Sequence, residues 1–436
     1  MVIKETVPLI ISTVIFFITF VLILMERVHR TVIGMVGAVL LVTLGTVFGF
    51  YGPQEALKAI DFNTIGLLMG MMIIVVILEE TGFFQYLAII SAQRTRGDPW
   101  KLVVVLGTVT TVVSFFLDNV TTVVLIAPVT IIVAGICRIS AVPLLIAEAL
   151  LSNTGGVATL VGDPPNIMIG SAAGFSFNDF ITHLAPIVVV TWIATLLTLK
   201  FVFRRALAQK PENIEALLRW NAKSALKDVK TCKKTLCVLG FVIVLFFFHH
   251  MLNMPAMMVA LIGAALALIL NYSKKDPQPI LAKVEWSVLL FFTSLFVLVG
   301  GLEHTGALRY VASLVMKLTT GNMLVAALAI LWVSALMSAV VDNIPFTIAM
   351  IPIILNLKSM GVPVDLFWWS LALGVGFGGN ATPIGSTANI VVVSKSEQTD
   401  EPITFAIWLK SGMITMLITC TIASAALVVL NALLSR

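Results

Sequence analysis

Long apolar runs separated by short polar connections organise most of this chain. They fall at residues 6–25, 31–49, 63–80, 184–203, 236–250, 256–272, 286–302 and 404–434, and nearly all are long enough to cross a hydrocarbon core of roughly 30 Å as helices. Four other stretches depart from this pattern. Residues 101–138 and 322–358 are apolar runs with polar ends and an Asp-Asn pair near the centre, in "FLDNVTT" and "DNIPFT". Splitting each run at that pair leaves arms of roughly 15 residues, about 22 Å of helix, which is short for a crossing and predicts a re-entrant helical hairpin. Residues 143–174 and 365–394 are apolar runs interrupted by Gly, Pro and Asn, in "SNTGGVATLVGDPPN" and "GVGFGGNATPIGSTAN". A regular helix does not survive such an interruption, so each is expected to be a broken helix.

The unusual stretches come in pairs. An offset of 224 aligns Glu79 with Glu303, Gly82 with Gly306, Asp118-Asn119 with Asp342-Asn343, and Pro128 with Pro352. An offset of 223 lays "GGVATLVGDPPNI" over "GGNATPIGSTANI". The chain is therefore an internal repeat. Three spans, a hairpin, a broken helix and a last span give an odd number of crossings per half, so the halves enter the membrane in opposite directions. The expectation is an all-α polytopic membrane protein with ten transmembrane spans in two inverted repeats. The first repeat is residues 1–205, the linker 206–234 and the second repeat 235–436. Lys and Arg accumulate on the cytoplasmic side of membrane proteins. With the 204–234 loop inside, twenty basic residues fall inside, Arg30 and Lys274 among them, and six outside: Lys4, Lys58, Arg309, Lys317, Lys358 and Arg436. Both termini are then extracytoplasmic, and the hairpins open to opposite sides of a cell (inner) membrane.

Composition narrows the function. The 436 residues are 59% hydrophobic and 11% charged, with a mean hydropathy of +1.07, which excludes a soluble globular domain. In a soluble protein a pI near 9.0 would point to nucleic acid; here the basic residues sit in loops and report orientation. The apolar run from Val7 to Met25 is span-length with no small-residue cleavage site after it, and reads as a first transmembrane helix. Four scattered cysteines give neither a disulfide framework nor a zinc site and read as reduced. No cofactor motif, nucleophile constellation or phosphate-binding loop occurs, so the expectation is a protein that is not an enzyme and has no cofactor; ATP could act only through a separate ATPase subunit.

A transporter needs a midplane site, and discontinuous helices supply one through exposed backbone groups and half-helix dipoles. The hairpin tips bring Asp118, Asn119, Asp342 and Asn343; the breaks add Thr159, Asn166, Asn380, Thr382, Ser386, Thr387 and Asn389. Asp163 has Ser386 as its counterpart, so one carboxylate is unduplicated. Burial beside two other acids favours the protonated form of such a group, making Asp163 the first candidate proton carrier and Asp118 the second. The plainer reading of Asp118 and Asp342 is capping of the second hairpin arm. Glu148, inside the first broken helix, is either a third coupling group or a helix-helix hydrogen bond. Glu79, Glu80, Glu303 and the five histidines fall at span ends, which favours solvation over a proton relay.

These motifs resemble the ion transporter superfamily that includes arsenite permeases of the ArsB type, sodium/proton antiporters of the NhaD type, the melanosomal P protein and the divalent anion/sodium symporters. The marks are "FLDNVTT", "GDPPNI", "DNIPFT" and "GGNATPIGSTAN", with the wording closest to the P-protein and ArsB-like branch. The resemblance implies an elevator-like mechanism in which hairpins and broken helices move against the other spans. Related symporters carry Ser-Asn-Thr at the hairpin tips; Asp-Asn at both tips here argues against a dicarboxylate. Three converging acids suit proton coupling to a neutral or cationic solute. The reading is a secondary transporter exporting As(OH)3 or Sb(OH)3 in exchange for protons. The alternatives are a sodium/proton antiporter, with the same carboxylates as hard cation ligands, and an anion transporter of the P-protein type.

Overall fold

The computed structural model describes residues 2–25, 27–273, 275–308, 313 and 322–434; Lys274, Arg309, Lys317 and Arg436, used in the charge count, lie outside them. All regular elements among the described residues are helices. Eight are long and apolar enough to cross a membrane, and four apolar helices are shorter. Seven of the eight are expected spans, and the Ala256–Tyr272 span is just below that length. The span expected from residue 236 begins earlier, at Val229, because Asp228 accepts from the backbone N–H groups of Lys230 and Thr231 and so caps a helix whose first turn is polar.

The eighth long helix, Asn119–Cys137, is the second arm of the first hairpin. With first arm Pro99–Ser114, and with Met323–Ser338 and Asn343–Ser359 in the second hairpin, the arms run 16 and 19, then 16 and 17 residues. The second arms run on through Pro128 and Pro352, which they accommodate inside the helix. The broken helices are Val142–Gly156 followed by Pro164–Ala173, and Asp365–Gly378 followed by Thr387–Ser396.

Packing sorts the helices into two groups. One holds the plain spans Val2–Leu24, Arg30–Val47, Phe62–Glu80, Val229–Phe248, Ala256–Tyr272 and Trp286–His304. The other holds both hairpins, both broken helices, and the spans Ala185–Val202 and Phe405–Leu434. Within the second group the repeats interlock: Pro164–Ala173 packs on the second hairpin and second broken helix, while Thr387–Ser396 packs on the first hairpin and first broken helix.

Candidate functional site

Close backbone approach, set by glycine, builds the breaks. A Cβ on Gly162 would lie 2.6 Å from the carbonyl oxygens of Gly156 and Ser114; on its twin Gly385 it would lie 2.7 Å from that of Gly379 and 3.0 Å from that of Ser338. Each break therefore folds back on itself and against a hairpin tip, a course closed to any residue with a side chain. Opening a helix leaves carbonyls that must find partners inside the protein. Asn166 Nδ2 donates to the carbonyls of Gly156, Val157 and Thr159 at 3.2, 3.1 and 2.9 Å. Its twin Asn389 donates to Gly379 and Thr382 at 2.7 and 2.9 Å. Thr159 and Thr382 donate to the hairpin-tip carbonyls of Phe115 and Ala339. Asn153 joins the two breaks, donating to Asn380 and Asn389 Oδ1 at 3.0 Å each and accepting from Ser386 Oγ at 3.1 Å.

These braces hold four helix N-termini, at Asn119, Pro164, Asn343 and Thr387, around one cavity of about 180 Å³, room for on the order of ten water-sized groups. Of the sequence-predicted residues, Asp118, Asn119, Asp163, Asp342, Asn343, Ser386 and Thr387 line it. Thr159, Asn166, Asn380, Thr382 and Asn389 do not; they are the braces. Glu148 is also away from the cavity, fully buried, and pairs with Thr130 Oγ1 of the first hairpin's second arm, so it does have a helix-helix partner.

The three aspartates occupy different situations. Asp118 caps its helix, accepting from Thr121 N at 2.9 Å and Thr121 Oγ1 at 2.6 Å. Asp342 cannot do the same, because the residue three positions on is Pro345, which has no N–H. It pairs instead with Arg30 and accepts from Thr387 Oγ1 at 3.0 Å. Asp163 is 4% exposed, begins the second half of its broken helix without a side-chain cap bond, and faces the Asn343 amide.

Two charged residues on the cavity escaped the sequence reading. Arg30 was counted as a loop residue; it is the first residue of Arg30–Val47, and its side chain enters the cavity. Glu285 lies at the start of Trp286–His304. At the offset of 224 it matches Asp61, which caps its own helix through Asn63 and Thr64, whereas Glu285 makes no cap bond. Both departures from the repeat were visible: Arg30 aligns with Met254, and Glu285 stands where the first half has a capping residue.

A channel-like pocket adjoins the cavity at Asp118 and Glu285 and runs along Met72, Val75 and Val76 to Glu79 and Lys283; a larger one of about 560 Å³ adjoins the cavity at His29, Arg30, Asp342 and Thr387. On the far side lies a separate cavity of about 190 Å³, bounded by Asp61, Phe296, Val299, Gly300, Glu303 and Pro352. Six of its thirteen lining residues, Ala59, Asp61, Phe296, Val299, Gly300 and Glu303, are repeat counterparts of residues on the channel-like pocket, and it shares no residue with the central cavity.

Paired hairpins and broken helices meeting at one polar cavity define a membrane transporter. The citrate transporter family (CitMHS) matches residues 20–374, and the chain belongs to that family. Among its relatives, the 46 kDa membrane protein of Mycobacterium leprae is 39% identical over 421 residues, covering 95% of this chain and 97% of that protein. The human P protein is 33% identical, over 96% of this chain and 59% of its own greater length. The Alcanivorax borkumensis YdaH transporter structure shares the fold, with a TM-score of 0.63 over 93% of this chain and 99% of that one at 12% identity.

Proposed function

We propose that this transporter is proton-coupled, that Asp163 carries the proton, and that the hairpin group moves as an elevator against the plain spans while exporting As(OH)3 or Sb(OH)3. The observation that supports this most is charge at the central cavity. Asp118, Asp163, Asp342 and Glu285 face one guanidinium and four helix N-termini. Each terminus is worth about half a positive charge, which leaves roughly one negative charge in excess. One proton on Asp163 removes it. A neutral trihydroxide then meets hydroxyl, amide and backbone donors without an opposing field, and needs no thiolate.

A second reading is a citrate-type anion. It draws on the family description and on Arg30 with the four N-termini, groups that attract carboxylates; here the excess negative charge would require co-bound cations. Everted vesicles separate the readings. Arsenite accumulation driven by an imposed proton gradient, absent in Asp163→Asn, is the expected result. Citrate accumulation that depends on a divalent cation, with no arsenite accumulation, would replace the first reading with the second. Sodium-driven proton movement with neither solute would make the protein an antiporter of the two cations.

A further inference from the structure

We infer that Arg30 is a tethered cation that ties the hairpin group to the plain spans, and that it must leave Asp342 before the two groups can slide. This rests on the elevator reading above and adds to it a named latch.

The bond crosses the boundary between the two groups. Arg30 begins a span packed on Trp286–His304 and Val2–Leu24. Thr31 Oγ1 fixes that end by donating to the Ser287 carbonyl at 2.8 Å, and the guanidinium lies over the Phe291 ring, 5.2 Å from its centroid. Both holds belong to the plain-span group. From there Arg30 Nη1 reaches two elements of the hairpin group: the Asp342 carboxylate at the tip of the second hairpin, and Thr387 Oγ1 at 3.0 Å, the first residue of a half-helix. Thr387 donates to the same carboxylate, which closes a triangle, and the Phe291 ring beneath the guanidinium is a contact that the planar Arg group makes better than the ammonium of Lys.

Among the described residues this is the one ion pair in the cavity. Arg30 and Asp342 side chains are 27% and 21% exposed, against 41% or more for every member of the other three pairs. A partly buried, hydrogen-bonded pair withstands solvent screening that reduces the surface pairs. Two departures from the repeat make it: Arg30 in place of a methionine-type position, and Pro345, which frees Asp342 from capping. The first hairpin has neither, and its Asp118 stays on its own helix. The latch thus acts on one hairpin only, and anything that competes for Asp342, a cation or a solute hydroxyl, unlocks it.

The test needs no substrate. Spin labels on cysteines replacing Val36 and Val340, both exposed at 63% and 61%, with Cys237→Ser to remove the exposed native thiol, report the distance from the Arg30 span to the second hairpin tip. In substrate-free protein the parent gives a single distance. Arg30→Gln is expected to add a second distance population, Asp342→Asn to add the same one, and the double substitution to add nothing further. Arg30→Lys, which keeps the charge and serves if the Gln variant is poorly folded, is expected to show that population in smaller amount. A parent-like single distance in folded Arg30→Gln or in folded Asp342→Asn overturns the latch. Failure of arsenite transport in vesicles would leave this distance result unchanged, so the two readings fail separately.

Discussion

Asp118 and Asp342 occupy equivalent positions and do different things because of one residue, the N–H-bearing Thr121 against Pro345. That difference can be read directly from "DNVT" and "DNIP". The role of Arg30 could not, because a basic residue at the edge of an apolar run ordinarily anchors a loop at the interface; its direction depends on how Arg30–Val47 is tilted against Trp286–His304, which local sequence does not set. The buried carboxylates should also separate on substitution. Glu148 is fully buried against Thr130, away from the cavity, so Glu148→Gln keeps the donor-acceptor geometry and is predicted to transport at parent-like rates, whereas Asp163→Asn loses gradient-driven transport. Equal loss in both, measured in the same vesicles, would return Glu148 to the coupling path. Asn166 and Asn389 are predicted to act on stability. Replacing either by Ala leaves buried carbonyls without a donor, each at a cost of about 1–3 kcal/mol, visible as a lower unfolding temperature of detergent-solubilised protein.

The broken helices and hairpins were legible as elements, since Gly, Pro and Asn in the midst of an apolar run have few other meanings. Less legible was which of their polar residues face the cavity. Thr159, Asn166, Asn380, Thr382 and Asn389 read as solute ligands, yet Asn166 and Asn389 hold the carbonyls that the breaks expose, Thr159 and Thr382 hold hairpin-tip carbonyls, and Asn380 bonds the side chains of Asn153 and Thr154. An opened helix in a low-dielectric interior needs such braces before it can offer anything to a solute. The glycine pairs follow from the same packing. Gly162→Ala and Gly385→Ala are each predicted to prevent proper assembly, because the added methyl meets backbone oxygens at 2.6 and 2.7 Å, atoms that cannot yield as a flexible side chain can. Size-exclusion profiles after solubilisation check this: monodisperse, heat-stable protein from either variant would contradict the close approach.

Across the molecule, the pocket that reaches Glu79 and Lys283 shares Leu68, Met72, Asp118 and Glu285 with the central cavity, while the cavity beside Asp61 and Glu303 shares no residue with it. We propose that the site is reached from the Lys283 face in this conformation. A cysteine replacing Met72, on the wall shared by the cavity and its channel, is predicted to react with an impermeant thiol reagent added on the Lys283 face faster than from the opposite face. The count of basic residues proposes that this face is cytoplasmic. The proposed role of Asp163 is to couple solute movement to protons without itself being needed to hold the solute. The most direct measurement compares parent and Asp163→Asn in proteoliposomes, following arsenite exchange at equal concentrations on both sides and arsenite accumulation against an imposed proton gradient. The prediction is that the variant keeps exchange and loses accumulation. Accumulation at the parent level in Asp163→Asn would contradict it.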